Sequence, residues 1–221
     1  GYRGIVFDFE YIFPENREAY NNFLRKAAEK FKPSGFVIAA ALAPKTSADQ
    51  PGLLYEAHDY AAIGAIVDYT ILMTYEWGYT YGPPQAVAPL NEVRKVISYA
   101  VTAIPPRKIM MGIPNYGYDW KLPYQKGNVA TSLSNTGAVD LAGRMGAVIK
   151  FDEKAQSPFF NYYDAEKKEH VVWFEDARSI RAKLLLANEY KLGGVSYWTI
   201  TRPFPQNWVV LSSYFNIDKV M

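Results

Sequence analysis

The chain has 221 residues, 49% of them hydrophobic and 21% charged, which is ample for a packed core and leaves no tract resembling a disordered tail or low-complexity segment. A formal net charge of +2, with no basic run, gives no electrostatic footprint for nucleic acid. No apolar stretch reaches the length of a membrane span, the N-terminus lacks a signal-peptide pattern, and the absence of cysteine removes disulfides and thiolate metal sites.

Gly4 to Glu10 reads as a strand whose period of two puts Val6, Asp8 and Glu10 on one face and Ile5, Phe7 and Phe9 on the other. Two acids at i and i+2 near a strand end couple electrically. Each anion raises the other's proton affinity, so one can hold a proton near neutral pH and serve as a general acid. Stability gives no reason to build such a pair.

Pro14 to Phe31 has helical spacing, with Tyr20, Phe23, Leu24, Ala27, Ala28 and Phe31 at three- and four-residue steps, and Pro33-Ser34-Gly35 stops it. Phe36 to Ala43 predicts a small-residue strand, Tyr55 to Ile63 a short helix, and Asp68 to Tyr75 a strand running into a Gly/Pro/Tyr-rich loop. Pro89 to Ala103 predicts a helix opened by proline in its first turn, and Lys108 to Pro114 a strand that spills into Asn115-Tyr116-Gly117-Tyr118-Asp119-Trp120. The alternation then breaks. Leu122 to Glu175 reads as an inserted α+β element with a hairpin from about Phe159 to Phe174. Asp176 is placed to cap a helix running to Tyr190, Gly193-Gly194 leads into a strand from Val195 to Ile200, and a last helix spans roughly Asn207 to Phe215.

The alternating elements predict an α/β fold of five parallel strands with one insertion. Its expected segments are 1–120, a first barrel segment, 121–175, the insertion, and 176–221, a second barrel segment. Polar or aromatic groups gather at the predicted strand ends: Asp8, Glu10 and Tyr11, then Met73, Tyr75 and Glu76, then Asn115 and Tyr116, then Trp198. In a parallel α/β barrel those ends face one mouth, where active sites are assembled. The 18 tyrosines, 12 phenylalanines and 5 tryptophans fit either an ordinary core or a sugar-stacking cleft. His58 and His170 are expected at the surface, with no metal-ligand pattern around either, and the lysines of 121–126 and 167–168 as solvated turn residues.

Gly4-Ile5-Val6-Phe7-Asp8-Phe9-Glu10-Tyr11 resembles the D-G-x-D-x-D-x-E signature of family 18 glycoside hydrolases, the chitinase-like (β/α)8 barrels. Met73-Thr74-Tyr75-Glu76 is similar to that family's sixth-strand M-x-Y-D/E segment, Met111 to Gly117 to its seventh strand, and Gly193-Gly194-Val195-Ser196-Tyr197-Trp198 to its eighth. Within the family, Met73 to Gly78 and Pro203 to Trp208 look most like the spore-cortex and peptidoglycan N-acetylglucosaminidases of sporulating bacteria. The likeness runs in order along the whole chain, with the insertion where the family places one.

The resemblance implies a TIM-barrel-type fold and a retaining hydrolase acting on a polymer containing N-acetylglucosamine, extracellular and associated with cell wall or spore. It implies that Glu10 protonates the glycosidic oxygen and that the substrate's own acetamido oxygen attacks the anomeric carbon, so that neither a protein nucleophile, a metal nor a cofactor is needed. By the same likeness Asp8 orients the acetamide, Tyr75 hydrogen-bonds it, Trp198 stacks beneath the sugar, and Met73 shapes the pocket. Tyr11, Glu76, Asn115 and Tyr116 are expected to line it. Two alternatives stand beside this reading: a non-catalytic lectin of the same fold, which usually lacks the acid present here at Glu10, and a chitinase acting on chitin. No glycine-rich phosphate loop follows any strand.

Two departures accompany the likeness. Arg3 and Val6 stand where the signature carries its first and middle aspartates, and valine cannot hydrogen-bond the next acid. The chain also starts at the family's fourth strand, so a partial barrel from a longer gene product is expected, with wall-binding repeats upstream and self-association through open sheet edges.

Overall fold

The computed structural model describes residues 1–217. In chain order it has β1 (Gly4–Phe7), α1 (Arg17–Phe31), β2 (Val37–Leu42), α2 (Tyr60–Ile66), β3 (Tyr69–Leu72), α3 (Leu90–Ala103), β4 (Ile109–Pro114), β5 (Tyr116–Lys121) and β6 (Thr131–Ser134). There follow α4 (Asn135–Met145), β7 (Lys150–Asp152), β8 (Ser157–Tyr163), β9 (Glu169–Trp173), α5 (Ala177–Glu189), β10 (Gly194–Trp198) and α6 (Pro205–Tyr214). The strands make two sheets, β1-β2-β3-β4-β10 and β6-β5-β9-β8-β7. The chain divides into two compact units, one of Gly1–Thr74, Val93–Gly112 and Ala187–Ser196, the other of Tyr75–Glu92, Ile113–Leu186 and the chain from Tyr197 onward.

In the first unit β1, β2 and β3 run parallel, with Gly4 opposite Val37 and Ala39 opposite Tyr69, and β3 continues in parallel to β4 with Thr70 opposite Ile109. Strand β2 is buried from Ile38 to Leu42, the continuous apolar run expected of a parallel strand covered on both faces. Helix α1 turns Tyr20, Leu24, Ala27 and Ala28 inward along one stripe, and α3 does the same with Val93, Val96, Ile97 and Ala100. Burying a side chain such as Leu24 completely contributes roughly 1.5–3 kcal/mol.

Polar links fix the ends of these elements. Asp59 caps α2 by accepting from the Ala62 amide at 3.0 Å and also accepts from Arg17 Nε at 3.1 Å. Asp68 accepts from the Ile38 amide at 2.8 Å and pairs with Lys32 at 2.8 Å. Gly193 donates to the carbonyls of Pro106 and Ile109 at 2.9 and 3.0 Å, and a Cβ there would sit 2.2 Å from Arg107 O, so only glycine fits.

The second unit carries the antiparallel sheet. Neighbouring residues Val171 and Val172 of β9 belong to different apolar clusters, which places those clusters on opposite faces. Val171 packs with Tyr116, Tyr118, Trp120, Val87 and Ala130, while Val172 packs with Phe160, Tyr162, Phe174 and the α4 residues Ala138 and Ala142. The Trp120 indole also donates to Gly82 O at 2.9 Å.

Helix α5 opens with a reciprocal cap: the Ser179 amide donates to Asp176 Oδ1 at 3.1 Å and the Asp176 amide to Ser179 Oγ at 2.9 Å. Behind it Lys183 Nζ lies 2.8 and 3.0 Å from the two oxygens of Glu175, both side chains having no solvent exposure. Burial pushes the Glu175 carboxyl up, against the pull of the Lys183 charge.

The predicted hairpin near 159–174 is β8 and β9, and the helix after Asp176 is α5. The first strand ends at Phe7, short of the expected Glu10, and the helix expected over Tyr55 to Ile63 is α2, Tyr60–Ile66; two further elements also differ from expectation. Residues 116–121, read as the tail of a strand, form β5, a central strand of the second sheet. Helix α4 carries Gly137 and Gly143 and packs through alanines, so it lacks the large apolar stripe that marks a helix in sequence. Its N-terminus is closed by Ser134 Oγ, which accepts from the Gly137 amide at 3.0 Å, and its C-terminus by Gly146 in the left-handed region.

Candidate active site

Asp8 and Glu10 lie just past β1, not on it: the ladder to β2 ends where Phe7 meets Ala40. The apolar half of the alternation persists beyond the strand. The rings of Phe7 and Phe9 pack on Phe23 of α1 at 5.1 and 5.6 Å, and Phe9 also packs on Tyr20 at 5.8 Å. Both acids are exposed. The Glu10 carboxyl is raised above its ordinary value, first by partial burial and then by the charge of Asp8. The same charge, after burial, helps push the Tyr20 phenol up to about 12.

His58 holds this segment from beneath and is buried, with 1% exposure, where the sequence suggested a surface residue. Its Nδ1 accepts from the Ala43 amide at 2.8 Å, and its Nε2 lies 3.0 Å from Phe9 O. A backbone amide can only donate and a carbonyl can only accept, so the ring is the neutral Nε2–H tautomer. Burial lowers its proton affinity accordingly. His58 thus ties the carbonyl between the two acids to the end of β2.

Tyr11 has φ 54°, in the left-handed region, immediately after Glu10. Met73 follows β3 and donates its amide to Leu42 O at 3.0 Å, and Thr74 Oγ1 donates to Gly112 O at 2.7 Å. Met73 is half-buried.

In the second unit, Tyr75 packs on the cluster that contains Tyr116, Tyr118 and Trp120. Glu76, with φ 68°, is exposed as a residue, and its carboxyl accepts from the hydroxyls of both Tyr116 and Tyr118, the latter at 3.0 Å. Burial raises the Glu76 carboxyl and the two phenols partly offset that rise. Burial and then Glu76 push the Tyr118 phenol up to about 12. The loop beyond is pinned by the Trp77 and Gly78 amides, each 3.0 Å from the carbonyls of Val87 and Ala86. A Cβ at Gly78 would lie 2.0 Å from Gln85 O, so the chains approach only because that residue is glycine.

The Asn115 amide donates to Trp198 O at 2.8 Å, and among the described residues neither side-chain atom of this buried asparagine has a partner. Trp198 is 57% exposed, and the peptide bond that follows it is cis.

The structure therefore brings Asp8 together with Glu10 in one unit, and Glu76 with Tyr116 and Asn115 with Trp198 in the other. Sequence reasoning missed His58 and Tyr118. Tyr118 was findable, since Tyr116-Gly117-Tyr118 places two phenols at i and i+2. Nothing in the sequence links His58 to Phe9. His170 is half-buried between Asp119, at 2.9 Å from Nδ1, and Asp164, at 3.4 Å from Nε2, with its ring stacked on Tyr162. Among the described residues no group of three or more His, Cys, Asp or Glu side chains is arranged to hold a metal ion. No helix among them is long and apolar enough to cross a membrane.

A sequence profile of the glycosyl hydrolases family 18 matches residues 1–202. The cortical fragment-lytic enzyme of Bacillus subtilis (strain 168) is 56% identical over 220 residues, covering 99% of this chain and 51% of that protein. The crystal structure of the Bacillus megaterium QM B1551 spore cortex-lytic enzyme SleL matches with a TM-score of 0.95 and 49% identity, over 99% of this chain and 50% of that one. A chitinase from Chromobacterium violaceum ATCC 12472 matches with a TM-score of 0.89 and 30% identity, over 95% and 65% of the two chains. The chain thus spans about half the length of the curated relatives it matches, and its α/β architecture is the TIM-barrel type of those structures. The chain belongs to the glycosyl hydrolases of family 18.

Proposed function

We propose that the protein is a retaining glycoside hydrolase that cleaves beside N-acetylglucosamine in spore-cortex peptidoglycan, with Glu10 as acid and base. The observation that carries this reading is the raised Glu10 carboxyl two residues from Asp8. A carboxyl that keeps its proton can give it to the glycosidic oxygen as the bond to the anomeric carbon breaks. The substrate's acetamido oxygen attacks that carbon from the opposite face and closes a cyclic oxazolinium ion. Water then opens the ring at the same carbon, giving its proton to the Glu10 carboxylate. Two inversions leave the configuration retained, and Glu10 regains its proton.

Asp8 is assigned to orient the acetamide and balance the positive charge that develops on its nitrogen. Tyr75 is assigned as a hydrogen-bond donor to the acetamide, Trp198 as the ring beneath the sugar, and Met73 as a pocket wall. Tyr11, Glu76, Asn115 and Tyr116 are assigned to line the cleft. The two cortex-lytic relatives support peptidoglycan and a spore-wall location. The outer strands of the parallel sheet, β1 and β10, are the edges through which copies would associate, a state read by light scattering in solution.

The test is Glu10→Gln, assayed on cortex peptidoglycan and on chitin oligomers side by side. Losing a general acid–base group is expected to lower kcat/KM by about 100-fold or more with the fold intact. Unchanged hydrolysis would reject the assignment. Faster wild-type cleavage of chitin than of peptidoglycan would replace the substrate and leave the chemistry standing.

A further inference from the structure

Arg202 sits on the turn that follows Trp198, closed by its own amide donating to Thr199 O at 3.3 Å. Its guanidinium is held firmly. Nη1 donates to Ser132 Oγ at 2.8 Å and to Leu133 O at 3.0 Å, both on the edge strand β6. The guanidinium carbon lies 5.7 Å from the centroid of the Tyr116 ring, within cation–π range.

Among the described residues, no carboxylate pairs with Arg202, and its hydrogen bonds there all leave from Nη1. The fork of Nε and Nη2 is uncommitted. One nitrogen does the anchoring, and the guanidinium lies over the Tyr116 ring. A planar guanidinium with one anchored corner and a free edge is a preorganised receptor for a two-oxygen anion, since parallel N–H groups match both carboxylate oxygens. Trp198, four residues back along the chain, is an exposed aromatic side chain of the kind on which a sugar ring stacks.

We infer that Arg202 is a specificity-determining residue that binds a carboxylate carried by the glycan strand. This rests on the peptidoglycan reading above, because chitin has no carboxylate whereas muramyl sugars carry a lactyl acid, free or extended by a peptide stem ending in one. Both sources offer the same chemistry to the same fork. Arg202 sets which polymer is held, and the Tyr116 ring beside its guanidinium is itself held by its hydroxyl donating to Glu76.

The test measures dissociation constants by calorimetry for wild type, Arg202→Gln and Arg202→Lys. Three soluble ligands are used: a neutral chito-oligosaccharide, a peptide-free glycan with lactyl carboxylates, and a glycan bearing peptide stems. Losing a bidentate charged contact is expected to weaken at least one anionic ligand by about tenfold or more relative to the neutral one. Arg202→Lys is expected to restore only part of that, because an ammonium lacks the fork.

Loss confined to the peptide-free glycan assigns the lactyl acid, and loss confined to the stem-bearing glycan assigns the stem terminus. Equal weakening of all three ligands, or of none, overturns the inference and leaves Arg202 a structural clamp. If Arg202→Gln does not fold, the salt dependence of wild-type affinity decides: binding of an anionic ligand must weaken with salt while neutral binding stays flat. Wild-type hydrolysis is followed alongside, so failure to cleave any of the three rejects the hydrolase reading separately from the affinity comparison.

Discussion

Tyr118 donates its hydroxyl to Glu76 Oε1 across 3.0 Å, and the Tyr116 hydroxyl donates to the same oxygen. One carboxylate oxygen therefore orders two phenols, which stand edge to face with ring centroids 5.6 Å apart. Removing either donor leaves the other to compensate in part, so the two substitutions are not independent. Tyr116→Phe and Tyr118→Phe are each expected to cost about 1–2 kcal/mol of stability. The double variant should depart from additivity by about 0.5 kcal/mol or more. Urea denaturation of the four proteins measures the cycle, and strict additivity would argue against a shared acceptor.

The pH dependence of kcat/KM should respond to Asp8. Its charge raises Glu10, and a general acid with a raised pKa keeps its proton, and its activity, to higher pH. Asp8→Asn removes the smaller of the two causes, so the alkaline limb should move to lower pH without reaching that of an ordinary carboxylate, because burial remains. The rate will also fall, since Asp8 is assigned to the acetamide, but the informative quantity is the position of the limb. A limb that stays put or moves to higher pH would show that the two acids are not coupled.

His58 should make the stability of its unit pH-dependent. Its native proton affinity lies below the ordinary 6.5, because the ring is buried and must stay neutral to accept from Ala43. The unfolded chain binds the proton first as pH falls, so this contribution is fully present above about 6.5 and is lost progressively as pH drops toward the lowered native value. His58→Gln should flatten stability against pH across that window in thermal melts. An equal slope in both proteins would contradict the neutral tautomer.

The Glu175–Lys183 pair gives a fourth kind of test. Lys183→Met strands a carboxylate with no solvent exposure, and removing one partner of a buried pair costs about 3–5 kcal/mol. Changing both, as Glu175→Leu with Lys183→Met, should restore much of the loss, because neither charge then needs a partner. Chemical denaturation compares them. A double variant as unstable as the single one would mean that packing, not the stranded charge, dominates.

The legible parts of the molecule are those whose cause is local in sequence. Alternation in Gly4 to Glu10 points to the paired acids, three- and four-residue spacing to α1, whose buried stripe carries Tyr20 and Leu24, and the proline before its first turn to α3. The strand is shorter than its alternation implies. Hydrogen-bond partners end at Phe7, and a strand's last pair is set by its neighbour, not by its own residues. Helix α4 escaped notice because alanines on a sheet face need no bulk to pack closely. His58 escaped because its role depends on a carbonyl 49 positions away, a distance that only folding closes. Nothing in the sequence around Arg202 marks it, because the groups that hold it, Tyr116 and β6, come from far back along the chain.

The role of Glu10 as proton donor is measured most directly by leaving-group dependence. Wild type and Glu10→Gln are compared by kcat/KM on two chito-oligosaccharides, one ending in a natural glycosidic bond and one in a dinitrophenyl group that departs without protonation. The expected result is a loss of about 100-fold or more on the natural bond and a far smaller one on the aryl substrate. Equal losses on both, or none on the natural bond, would contradict Glu10 as the acid.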